Sequence, residues 1–237
     1  MYDIPCYKLY NLCNFCKNCY FCDVVEQALL QLMKNDAYLL ENKISERSQT
    51  HKLAEYLQLL LPQWNVDCEY NRKLKLTKTL DFSSIVNGIK DIIEHPNIER
   101  EDVKALYQQL NADNIAIATE DDIENYGALL FSLNSKNGSY IKKVFPDIIA
   151  HMRGTMENKI VIEAKKTGNI DPKARLFDLI KLALFTKIGG EYEYQVGFFI
   201  DIPEHIPEKI KITCKRDRFI QKLVPDSNVW IINVLAR

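Results

Sequence analysis

Apolar residues recur along this chain with two periods, and the switches between them mark out its elements. From 23 to 34, Val24, Val25, Ala28, Leu29 and Leu32 form a stripe at helical spacing, with Asp23 placed to cap the first turn. Ile44, Leu53, Leu57 and Leu60 predict a longer helix over 44–61, ended by Pro62. The stretch WNVDCEY (64–70) reads as a strand closed by Asn71 and Arg72. Residues 85–95, 99–110 and 120–133 read as helical, so a helical insertion is expected over about 75–140. Val144 to Ala150 is an apolar run, and Lys159 to Lys165 alternates strictly. Turn chemistry at 153–158 joins these two stretches into a β-hairpin. Asp171-Pro172 opens a helix that runs to about 186, and Gly189-Gly190 breaks the chain after it. Strands are expected at 194–202 and 229–235. This order predicts one α/β domain over 24–237, built on a mixed central sheet flanked by helices.

The hairpin carries the chemistry. Val161, Glu163 and Lys165 share one face of its second strand, while Ile160, Ile162 and Ala164 share the other. Asp147, on the neighbouring strand, can face Glu163 and Lys165. A strand within a core does not carry two charges on one face unless they pair or bind an ion. Two hard carboxylate ligands suit Mg²⁺, which keeps several waters and takes few protein ligands. A lysine beside such an ion can orient a water and offset charge on a phosphate. The alternative is a cross-strand ion pair on a solvated sheet face.

Composition narrows the choice little. The chain has 237 residues, 47% of them hydrophobic, and a net charge of −1, so nucleic-acid binding would need a local patch. Residues 140–175 offer one, with eight basic residues against four acidic ones, Lys143, Arg153 and Lys166 among the basic set. His51, His95, His151 and His205 are too scattered to argue a histidine metal site. Residues 1–23 form a separate segment rich in Cys and aromatics. There Cys13, Cys16, Cys19 and Cys22 make a CxxC ladder, a candidate Zn²⁺ or iron–sulfur ligand set. No run of about 18 apolar residues and no signal-peptide pattern is present, so a cytoplasmic protein without a membrane partner is expected. In that compartment cysteines are expected as metal ligands or core residues rather than disulfides.

Three stretches, ISERSQTHKLAEYLQ (44–58), WNVDCEYNR (64–72) and FPDIIAHMRGTMENKIVIEAKK (145–166), resemble a group of small bacterial proteins of the PD-(D/E)XK nuclease superfamily. YQVGFFIDI (194–202) fits the strand after their second core helix. The resemblance implies a restriction-endonuclease-like core with Asp147, Glu163 and the backbone carbonyl of Ala164 as ligands of Mg²⁺ or Mn²⁺. It further implies that Lys165 positions the attacking water and that Glu46 serves the metal or its waters. Arg72 and His151 lie in matching stretches, Arg72 as a candidate nucleic-acid contact and His151 without a firm role.

The function expected on this basis is Mg²⁺-dependent phosphodiester hydrolysis of nucleic acid, with DNA favoured. A homodimer is a candidate assembly, because cutting two strands often takes two active sites. The alternatives are a non-cleaving nucleic-acid or protein interaction module of the same fold, or a cysteine-ligated metal or redox protein.

Overall fold

A computed structural model describes residues 17–42, 44–70, 72–73, 76–83, 141–167, 172–217, 220–221 and 224–236. The helices expected between 85 and 133, the Asp171 cap, and Cys13 and Cys16 lie outside the described residues.

Helix α1 (Lys17–Asn35) opens the described chain. Its stripe Val24, Val25, Ala28, Leu29 and Leu32 is buried as expected. Asp23 is not its cap: the helix begins six residues earlier, so Asp23 sits on the exposed side of its second turn. A short α2 (Ala37–Glu41) follows, and then α3 (Glu46–Leu60). Ser45 caps α3, its hydroxyl accepting the Ser48 N–H at 3.3 Å. Ile44 therefore stands before the helix rather than within it.

Strand β1 (Asn65–Cys68) leads into three short strands, β2 (Arg72–Lys73), β3 (Leu76–Thr77) and β4 (Thr79–Asp81). The block expected to be a helical insertion thus begins in strands. After residue 140 come β5 (Ile141–Lys143), which pairs with β4, and then β6 (Ile148–His151) and β7 (Asn158–Lys166). Helix α4 (Pro172–Thr186), β8 (Val196–Ile202), β9 (Ile210–Arg216) and β10 (Val229–Ala236) complete the chain.

Six strands form a mixed sheet in the order β1-β6-β7-β8-β10-β9. Strands β6 and β7 pair antiparallel, with Ile148 opposite Ile162 and Ile149 opposite Val161, which is the expected hairpin. Strands β7, β8 and β10 run parallel at the centre. Central parallel strands are covered on both faces, and every residue of β8 is buried. Ile160, Ile162 and Ala164 join α1, α2 and α3 in one apolar layer. Val161 and Ile149 join α4 in the other. The molecule is therefore an α/β fold with helices on both sides of the sheet. Gly197 lets α4 approach β8 closely, since a Cβ there would lie 3.2 Å from Thr186 Cγ2 and 3.3 Å from Leu182 Cβ.

Helix α1 is tied to β9 by a disulfide between Cys22 and Cys214, whose Cα atoms are 6.5 Å apart. This corrects two expectations. Cys22 is not a thiolate ligand, and the cysteines are not all metal ligands or lone core residues. The cause is packing: Cys22 lies on the buried side of α1, facing the sheet surface that Cys214 lines. Cys19 lies within the same helix.

Candidate active site

The alternation in β7 sends Glu163 and Lys165 toward the α4 side of the sheet, with Val161. Asp147 stands just before β6, one step past the Ile148–Ile162 pair, and so comes level with Glu163. Its Oδ2 accepts the Ala164 N–H at 2.9 Å. Asp147, Glu163 and Lys165 are brought together as expected, but on a buried face. The solvated cross-strand pair is overturned, because Glu163 is only 1% exposed.

Lys165 Nζ is the hub of the cluster. It lies 3.2 Å from Glu46 Oε1, 3.9 Å from Asp147 Oδ2 and 3.6 Å from Asp178 Oδ2. Glu46, in the first turn of α3, also accepts the Lys166 N–H at 3.3 Å. Glu46 is thus delivered to the site from the opposite helical layer. Deeper in, Lys181 Nζ lies 2.8 Å from Glu163 Oε2 and 2.9 Å from Asp178 Oδ1. One carboxylate, Asp178, therefore bridges the two ammonium groups.

Burial dominates the electrostatics here. It pushes the Glu163 carboxyl well above the ordinary carboxylate range, although Lys181 pulls the other way. Burial also raises Asp147, against the lowering effect of the Ala164 N–H and Lys165. For Lys165, burial favours the neutral amine, but Asp178, Asp147 and Glu46 outweigh it and hold the ammonium charged. Lys181 is raised by the same balance, with Glu163 and Asp178 as its partners.

Four carboxyl groups (Asp147, Glu163, Asp178, Glu46) surround two ammonium groups in this cluster. Glu163 Oε1 is buried with no hydrogen-bond partner, an orphaned hard oxygen. Among the described residues, however, no group of three or more His, Cys, Asp or Glu side chains stands assembled for a metal ion. The lysines hold the carboxylates instead, Lys181 at Glu163 and Asp178 and Lys165 at Glu46, Asp147 and Asp178. At Ala164 it is the N–H that meets Asp147.

The remaining expected contacts are scattered. Arg153 is engaged at the far end of the hairpin, where its guanidinium binds Asp67 through Nε at 2.9 Å and also through Nη2. His151 Nε2 lies 2.8 Å from the same aspartate, so this histidine is a structural pin between β6 and β1. Lys166 donates its ammonium to the Ile44 carbonyl. Lys143 is exposed in β5, and Arg72 lies in β2.

Asp178 and Lys181 were not expected from the sequence. Their signal is present all the same: LFDLIKLALF (176–185) puts two charges three residues apart in an otherwise apolar helical run. A helix covered on that face must pair them. Lys78 was missed as well. It is 2% exposed and donates to the Tyr194 hydroxyl at 2.7 Å, with its ammonium 5.2 Å from the ring centroids of both Tyr70 and Tyr194. No helix among the described residues is long and apolar enough to cross a membrane. Comparison of the chain with protein-family models, with curated proteins and with solved structures gave no match.

Proposed function

We propose that this chain is a divalent-cation-dependent phosphodiesterase acting on nucleic acid, with DNA favoured, on a restriction-endonuclease-like core. The observation that supports this reading most is the Lys165 ammonium set among Glu46, Asp147 and Asp178, with Glu163 buried behind it. Asp147 and Glu163 would hold Mg²⁺ or Mn²⁺. When bound, the cation supplies Lewis acidity toward a phosphate oxygen and makes a nucleophile available at neutral pH. Lys165 stays charged, donates a hydrogen bond that orients the attacking water, and offsets negative charge growing on the phosphate. Glu46 and Asp178 fix the direction of that ammonium from two sides. Lys181 keeps the Glu163 carboxylate compensated within the core.

A non-cleaving interaction module is the second reading, and one observation favours it: ammonium groups already neutralise the carboxylates that a cation would need. The cysteine-ligated metal or redox reading loses one of its four ligands to the Cys22–Cys214 bond. Incubating the protein with plasmid, single-stranded DNA and RNA, in Mg²⁺, Mn²⁺ or EDTA, separates the first two. Cutting that EDTA abolishes supports the phosphodiesterase. Binding without cutting in any cation supports the module.

A further inference from the structure

The segment leading into Asp147 has a pattern that the catalytic cluster does not use. Burial alternates along it: Lys143 is exposed, Val144 buried, Phe145 exposed, Pro146 buried, Asp147 half-buried and Ile148 buried. Lys143, Phe145 and Asp147 are therefore the more exposed positions of this segment. Phe145 is 51% exposed, two residues from Asp147.

Its backbone is also fixed. Val144 and Pro146 are buried on either side, and the Val144 N–H is held by the Lys78 carbonyl at 3.2 Å. A residue before proline is confined to extended conformations. The backbone that carries the ring is thus held on both sides, so it loses little freedom on meeting a flat apolar partner.

We propose that Phe145 is a stacking platform for a nucleobase and that Lys143 contacts the adjoining phosphate, which makes single-stranded nucleic acid the substrate class of this site. The inference rests on the phosphodiesterase reading for its placement, since it sets the base two positions from Asp147. Chemistry selects the class: a ring stacks on any base whose face is free, and a duplex keeps those faces covered. A lysine beside the ring supplies the sequence-independent attraction for the backbone.

The test measures binding first and cutting second. Wild type, Phe145→Ala and Phe145→Trp are titrated in EDTA with a labelled oligothymidylate and with a blunt duplex of equal length. The proposal expects Phe145→Ala to bind the single strand about tenfold more weakly, with duplex affinity unchanged. Phe145→Trp retains wild-type affinity and adds to the emission of Trp64 and Trp230 a component that the oligonucleotide quenches. Equal binding of the single strand by wild type and Phe145→Ala overturns the proposal, as does equal loss on both ligands or no binding by wild type. Repeating the series in Mn²⁺ tests the underlying reading separately. Stacking without cutting leaves Phe145 as a base platform and refutes the phosphodiesterase.

Discussion

Lys181 holds its ammonium nitrogen 2.8 Å from Glu163 Oε2, in a part of the core where both side chains are buried. Removing one partner of such a pair strands a charge in a medium that cannot solvate it. Lys181→Met is therefore expected to cost about 3–5 kcal/mol at pH 7, read by urea unfolding. Burial already raises the Glu163 carboxyl, and loss of Lys181 raises it further. A protonated Glu163 needs no cation beside it, so the deficit shrinks as pH falls toward 5. A deficit that is constant with pH would show that Glu163 is not the stranded group.

A cation bound to the folded chain alone must raise its melting temperature. At about 100 times its dissociation constant the gain is about 2.7 kcal/mol, or roughly 5–10 °C for a domain of this size. Glu163→Gln and Asp147→Asn are each expected to abolish the Mn²⁺-induced rise in a thermal melt. A rise that persists in both variants would place the ion elsewhere.

Asp67 pins the outer strand of the sheet through His151 and Arg153. Burial works to raise its carboxyl, but the two hydrogen bonds outweigh it and leave the value lowered. Its stabilising contribution is thus complete above the ordinary aspartate value and is lost as pH falls through the lowered one. Burial lowers His151 too, so the fold favours the neutral imidazole and weakens as pH drops below about 6.5. Asp67→Asn is expected to cost about 1.5–3 kcal/mol at neutral pH and to flatten the acid limb of the unfolding profile.

Burial pushes the Lys78 ammonium down to about 8, with only a small opposing pull from Asp67. Below that pH the folded chain carries a charge it would shed more readily than the unfolded chain, at a cost of about 3 kcal/mol. The cost is relieved as pH rises from about 8 to about 10.5. Wild type should therefore gain stability over this window relative to Lys78→Met, as measured by denaturant midpoints. Parallel curves would contradict the placement.

Legibility in the sequence followed periodicity. The hairpin and strands β8 and β10 read directly from their apolar patterns and the α4 helix from its end signals, and with the hairpin came Asp147, Glu163 and Lys165. Glu46 came only from resemblance, because one carboxylate at a helix start carries no pattern of its own. Strand β9 was missed because IKITCKR is a half-buried edge strand with charges along it. Asp178 and Lys181 were missed because their helix was read from its ends, Asp171-Pro172 and Gly189-Gly190, and not for the charges inside it. The Cys22–Cys214 bond joins residues 192 positions apart, a pairing that no local pattern can announce.

The most direct test of the hydrolytic centre compares wild type with Lys165→Ala, in Mn²⁺, on whichever nucleic acid wild type cuts. Circular dichroism and thermal melts confirm that both are folded. Lys165 is partly exposed at the hub of the cluster, so its removal is expected to leave the fold intact and to reduce the single-turnover cleavage rate by about 10²–10³-fold. Cleavage by the folded variant at the wild-type rate would contradict the role assigned to this lysine and, with it, the hairpin as the site of chemistry.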